Sequence, residues 1–542
     1  MITFLKVTSS KIFDTLVLLA LLLFAFFLTF RSGERGFFTL DQSIVFDGSY
    51  RVLSGQIPYK DFIMPVGPVV FWLQAIFFKI LGISYFSYIF GAAYINSLVV
   101  LLSVIIIRLL FPSKKYLSYI AAFLTAVWFY PPFGTPWVEQ TAFFFSFLAI
   151  TAILSARVFI KGKGILLLLA GSFAALSILS KQNAGLYILP LYFILLIAAY
   201  SFDFKRFFYS CITFIIGLAG SLFLFLWWVS AKSNLKVFSA YFFQIPALQG
   251  ICRILDEGRD FWRIFFTGTC SYGTLHQLPL GIRLIFTAAL LIAGFAFIFY
   301  LYHHRKAKES GRNEILASLL CIYAIFFQYL FIHTTMNQAE NSIPFIGIIF
   351  AASLGVSPRL KFFAGNLNRS ISTIVVSFLV LYLALAGIKV SQDRRVQEFT
   401  NSEFPRYFTL EKLKALKWGK PTRIWGLQIQ EEDVTGLVSY LKAKNENFFI
   451  FPNFTILYGV LGVPSPQPLL WFHKGLTYHA IYEPELDNWI VRDLVKNKVR
   501  IIVIEENPLY NALNDFRQLD EFVAADFREA KKIGLFHIYE KI

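Results

Sequence analysis

Long apolar runs, broken at short intervals by polar or basic clusters, make up most of the first 390 residues. The runs lie near 12–30, 86–107, 116–130, 138–156, 164–180, 184–201, 207–230, 281–302, 314–332, 342–357 and 371–390. Most are long enough to cross about 30 Å of hydrocarbon as helices, and together they predict about eleven crossings. Backbone groups in lipid have to pair within their own segment, so helices are expected. The stretch 66–81 is different: it is short, opens on Pro65-Val66-Gly67-Pro68 and carries Lys79, which predicts a helix lying in the interface. After Val390 charges and turn residues recur every few positions, so 1–390 reads as a membrane domain and 391–542 as a soluble one. Strands are predicted over 447–451, 499–504 and 534–539, with helices over 431–444 and 483–496. That is the pattern of a small α/β domain.

Composition supports this division. Of 542 residues 57% are hydrophobic and only 15% charged, too apolar for a soluble core. Lys6 and Lys11 precede the first run, but no small-residue cleavage site comes before Arg31, so the run reads as a retained first helix and not a signal peptide. The net charge of +17 comes from Lys and Arg scattered over alternate loops. Arg108, Lys114 and Lys115, Arg157 with Lys161 and Lys163, Lys205 with Arg206, 305–312 and 359–369 mark one side of the membrane as cytoplasmic. No basic face for nucleic acid emerges. An odd number of crossings then places the amino terminus in the cytoplasm and the carboxyl domain outside, with 31–65 and 231–280 as long outer loops. Cys211 and Cys321 sit in apolar runs; Cys252 and Cys270 share an outer loop where a disulfide is possible in an oxidising compartment.

The first outer loop concentrates polar groups in a chain that has few of them: Asp41, Asp47, Arg51, Tyr59, Lys60 and Asp61. A carboxylate at the bilayer edge, partly desolvated, suits a general base or a cation ligand, whereas loop carboxylates are also often simply solvated. The series Asp41-Gln42, then Tyr50-Arg51-Val52-Leu53-Ser54-Gly55-Gln56-Ile57-Pro58-Tyr59-Lys60-Asp61-Phe62, then Val66-Gly67-Pro68 and Leu81-Gly82, resembles the first outer loop of GT-C glycosyltransferases. Protein O-mannosyltransferases and the lipid A aminoarabinose transferase are members of that group. The resemblance is close in this loop alone and extends to the rest of the membrane region in layout.

The resemblance implies a polyprenyl-phosphate sugar as donor and transfer, with inversion, to a glycan, lipid or protein acceptor. Asp41 is then the general base, and Arg51, Tyr59 and Asp61 are candidate substrate contacts. A second carboxylate often follows the first in that group. Here Gln42 stands in its place, which weakens a paired-carboxylate site for a divalent cation and favours a single base. Glu139, at the outer start of the 138–156 run, matches a second acidic position; it either orients the acceptor or Asp41, or simply complements a helix amino terminus. Lys181 lies at the next outer mouth, where it either snorkels from a helix end or neutralises the leaving phosphate, with Gln182 and Asn183 donating hydrogen bonds. The outer loop 333–341 either offers His333 and Asn337 for donor sugar hydroxyls or simply caps the interface, and its His and Glu lack metal-ligand spacing.

Further candidates are less specific. Trp262 with Arg253, Arg259 and Arg263 suits an amphipathic cover. In the carboxyl domain, Pro452-Asn453 and the aromatic stretch 471–478 suit either sugar stacking or core packing. There is no GxxxxGK[ST], HExxH, GxSxG or CxxC, so ATP hydrolysis and zinc peptidase chemistry are not expected. Transport or flipping of lipid-linked saccharides, and their polymerisation, are the rival functions. Polar groups gather at the outer mouth and no repeat is visible, both of which favour an enzyme over a transporter. The expected location is a bacterial cytoplasmic (inner) membrane.

Overall fold

The computed structural model of the protein describes residues 2–159, 161–200, 204–247, 309–335, 343–356, 369–393, 399, 402–419, 429–472, 477–478, 483–506 and 512–542. Its membrane part is built from α1 (Ile2–Gly33), α4 (Tyr85–Leu110), α5 (Lys115–Trp128), α6 (Val138–Val158), α7 (Lys163–Ile178), α8 (Gln182–Tyr200) and α9 (Phe204–Lys232), after which come a short α10 (Leu235–Phe238), α11 (Glu309–Thr335), α12 (Ile346–Val356) and α13 (Arg369–Asp393). Two shorter helices, α2 (Thr39–Leu53) and α3 (Val69–Leu81), lie between α1 and α4. Every apolar run that falls in the described residues is a helix, and six of these are long and apolar enough to cross a membrane. The run 281–302, Cys252, Cys270, Trp262 and the neighbouring arginines lie outside the described residues.

Two ends of the bundle can be told apart by their contacts. At one, Asp14 near the start of α1 accepts from Arg108 at 2.5 Å and from Tyr119, joining α1, α4 and α5. At the other, Tyr85 at the start of α4 donates to the Gly33 carbonyl at 2.9 Å. Both ends of α3 sit at this Gly33 end. Val69 N lies 3.4 Å from the Leu179 carbonyl where α7 finishes, and only Gly82 and Ile83 separate Leu81 from the Ser84 cap of α4. One face of α3, with Val70, Phe71 and Phe78, is buried, while Ile76 and Ile80 are exposed.

Beyond α13 the described residues form a four-stranded sheet of order β1-β2-β4-β3, with β1 (Phe448–Phe451) parallel to β2 (Ile501–Glu505) and the other pairs antiparallel, through β4 (Phe536–Lys541) and β3 (Phe527–Ile533). Helices α14 (Glu431–Lys444), α15 (Ile456–Leu461), α16 (Glu483–Lys496) and α17 (Arg517–Asp526) accompany it. Phe472 packs against Phe449, Phe451 and Phe516, and Tyr478 donates to Asp515 at 3.0 Å, so the described part of the 471–478 aromatic stretch is core. This unit packs on the loop that follows α1. Lys417 N donates to the Glu34 carbonyl, Gly36 N to the Lys417 carbonyl, and Ile63 N to the Pro468 carbonyl.

Candidate functional site

The first loop is largely helix. In α2, Gln42, Ser43, Asp47, Ser49 and Arg51 are all buried, between α3 on one side and α15 on the other. Asp41 lies in the first turn, where the helix dipole favours a carboxylate, and is partly exposed. Its neighbour Gln42 accepts from Phe38 N at 2.7 Å and donates to Thr135 Oγ1 at 3.2 Å, while the Gln42 carbonyl accepts from Tyr88 at 2.9 Å. With both ends of its amide engaged, Gln42 does not fit a paired-carboxylate metal site.

The Gln42–Thr135 bond brings the start of α2 against the loop that opens α6, four positions before Glu139. Glu139 is in the first turn of α6 and almost fully buried, and Lys181 lies between α7 and α8. Their side chains form an ion pair at 3.5 Å, with Lys181 23% exposed and Glu139 6%. The same corner is fastened to the first loop by Gly67, whose Cα hydrogens face the Leu179 carbonyl; a Cβ there would come within 1.6 Å of that oxygen.

Several buried polar atoms on α2, α6 and α8, the helices that meet here, are unsatisfied. Glu139 Oε2, both amide atoms of Gln140, Gln182 Oε1 and Ser43 Oγ have no hydrogen-bond partner among the described residues. Native interiors rarely leave such atoms unpaired, and a site built to receive a polar ligand is one reason to do so. Gln140 and Ser43 had no distinguishing spacing in the sequence; a glutamine inside an apolar helix was the only signal.

The other candidates are placed differently. Gln182 Nε2 donates to the Pro65 and Phe242 carbonyls, at 3.1 and 2.7 Å, and so ties the corner together. The Asn183 side chain accepts from Ala184 N at 2.9 Å. Arg51 lies ten residues beyond Asp41, about 15 Å along the helix. It is enclosed by Asp47 at 2.9 Å, the Gln467 carbonyl at 2.5 Å, Ser465 Oγ and the Leu469 carbonyl at 3.4 Å, an environment that anchors 465–469 and offers no face to a substrate. Tyr59 is buried and donates to the Val66 carbonyl; Asp61 accepts from Ile57 N at 2.7 Å. His333 falls in the last turn of α11, not in a loop, because that helix continues to Thr335; Asn337 lies outside the described residues.

Residues 65–229 match the model of a family described as dolichyl-phosphate-mannose-protein mannosyltransferase. The match includes Glu139 and Lys181 and stops short of Asp41. Comparison with curated proteins gives no match. Among solved structures, ArnT from Cupriavidus metallidurans bound to undecaprenyl phosphate aligns over 99% of this chain and 98% of that one, at 12% identity and a TM-score of 0.50. The same protein in the apo state aligns with equal coverage and identity at a TM-score of 0.48. The helical bundle, the carboxyl-terminal sheet and the family match together make this chain a multi-pass membrane protein with the GT-C glycosyltransferase fold.

Proposed function

We propose that the chain transfers a sugar from a polyprenyl-phosphate carrier to an acceptor at the outer face of a bacterial inner membrane. In this reading 1–390 is the membrane domain and 391–542 an extracytoplasmic one. The Asp14 end of the bundle faces the cytoplasm, as does the amino terminus, and the Gly33 end faces out. The observation that carries the reading is the Lys181–Glu139 pair, set beside unsatisfied buried groups at the mouth of an apolar bundle. ArnT, whose fold the chain shares, is seen with undecaprenyl phosphate bound, which motivates the same class of carrier here.

The chemistry follows from the charges. The Asp41 carboxylate takes the proton of the acceptor hydroxyl as its oxygen attacks the anomeric carbon; the bond from that carbon to the phosphate oxygen breaks, and the configuration inverts. Negative charge then develops on the lipid phosphate, where the Lys181 ammonium meets it. Glu139 holds Lys181 in place before the donor arrives, and its second oxygen is available to an acceptor hydroxyl. Gln182 and Asn183 shape the turn that presents Lys181.

The test is turnover. The purified chain, incubated with undecaprenyl-phosphate hexoses and pentoses and with glycans, lipids and proteins extracted from the cell envelope, is expected to release undecaprenyl phosphate in an acceptor-dependent way, read by mass spectrometry. Complete retention of every carrier would overturn the reading.

A further inference from the structure

A cleft of about 900 Å³ opens where the first loop meets the carboxyl-terminal unit. Its walls come from four parts of the chain: the end of α2 and the turn that follows, with Gln56 and Asp61; the residues around the start of α10, with Asn234; Ser465 and Pro466; and the end of α16 with the residue after it, carrying Trp489, Asp493 and Asn497. The size is near the upper end of ligand clefts, about 300–1,000 Å³. The walls are held by bonds that cross between these parts. Gln56 Nε2 donates to the Ser465 carbonyl at 2.9 Å, and Ser233 Oγ donates to the Pro58 carbonyl at 2.6 Å.

The lining selects among ligand classes. Lys60, Arg492 and Lys496 stand against Asp61 and Asp493, so the charges nearly balance and no uncompensated cationic floor awaits a phosphate. Few apolar side chains contribute, so a hydrophobic peptide or acyl chain would leave many polar groups unpaired. Amides, hydroxyls and carboxylates around one indole are instead the combination that meets a saccharide: hydroxyls bond to the polar groups and the C–H face of a ring lies on the aromatic. Burial holds the Asp493 carboxyl above its usual range, and the facing Asp61 charge adds to this against Arg492, Trp489 and Lys496.

The cleft is linked to the candidate site through the first loop. Tyr59 lines it and donates to the Val66 carbonyl, and the adjacent Pro65 carbonyl accepts from Gln182, next to Lys181. We infer that this cleft binds a saccharide portion of the acceptor, so that the acceptor is a glycan or glycoconjugate whose sugar chain lies along Trp489, Asp493, Asn497 and Asp61. The inference rests on the transferase reading and adds the acceptor class to it.

The experiment uses the full chain in detergent with oligosaccharides released from the cell envelope by mild acid. Saturation-transfer NMR records their binding, and donor turnover is followed in parallel. Trp489→Ala and Asn497→Trp are each expected to raise the acceptor KM about tenfold or more at little change in kcat, and Asn497→Trp to abolish the NMR signal. Turnover by the wild-type chain with unchanged KM in both variants overturns the cleft and leaves the transferase reading standing. If the wild-type chain turns over no donor, the transferase reading fails; binding lost in Asn497→Trp then still supports the cleft, and no binding, or binding equal in both proteins, overturns it.

Discussion

Lys181 Nζ lies 3.5 Å from Glu139 Oε1, although the two residues introduce different helices and come together only through the packing of α6, α7 and α8. A cation next to a carboxylate is held ready without a ligand, and exchanging that partner for a phosphate leaves the lysine paired throughout. Such coupling is measurable. Lys181→Met is expected to weaken undecaprenyl phosphate binding by about 10- to 100-fold, and a double-mutant cycle with Glu139→Gln to show an interaction of about 0.5–3 kcal/mol. Additive effects in titrations of the four proteins would separate the two residues.

Arg51 belongs to the scaffold in this account. Its side chain and that of Asp47 are fully buried, and removing one member of such a pair leaves the other charge unpaired. Arg51→Ala is therefore expected to cost about 3–5 kcal/mol, seen as a large fall in the thermal midpoint and earlier proteolysis near 465–469. Arg51→Lys is not expected to rescue it, because one ammonium cannot reach Asp47 and the carbonyls on the opposite side together.

Glu505, at the end of β2, is buried, and burial pushes its carboxyl up to about 8 against the opposing effect of the Asn453 backbone N–H. An acid raised in the folded state keeps its proton there while the unfolded chain loses it, so stability falls as pH rises from about 4.5 to about 8 and then levels off. Glu505→Gln is expected to remove this slope and to raise the thermal midpoint at pH 8. An unchanged pH profile in the variant would assign the slope to other groups.

The proposed orientation is tested by labelling. Ala443, exposed on α14 of the carboxyl-terminal unit, and Lys161, exposed between α6 and α7, fall on opposite sides of the membrane in the proposed scheme. A cysteine at 443 is expected to react with an impermeant maleimide in intact spheroplasts, and one at 161 only after lysis. The reverse pattern would invert the scheme.

How much of this the sequence could reveal depended on whether the signal was local. The membrane helices were legible because hydrocarbon thickness imposes a length and lipid an apolar composition. Helix α2 was not, since it is buried among protein on several sides and so combines Ser43, Asp47, Ser49 and Arg51 with apolar residues, leaving no single polar face. Arg51 looked like a ligand contact because its partners lie about 400 positions away. Strand β3 escaped because Arg528, Glu529, Lys531 and Lys532 lie on an exposed edge with no apolar alternation. For the site, residue types at the starts of α6 and α8 named Glu139 and Lys181, but their contact is tertiary, and the unpaired amide of Gln140 shows only in the packed structure.

The measurement closest to the central claim is single-turnover release of undecaprenyl phosphate by Asp41→Asn, with acceptor present and donor bound to saturation. Loss of a general base is expected to slow release by about 10²–10⁴-fold while donor affinity and thermal midpoint stay near those of the wild-type chain. Release at the wild-type rate would contradict the account by removing Asp41 from the chemistry.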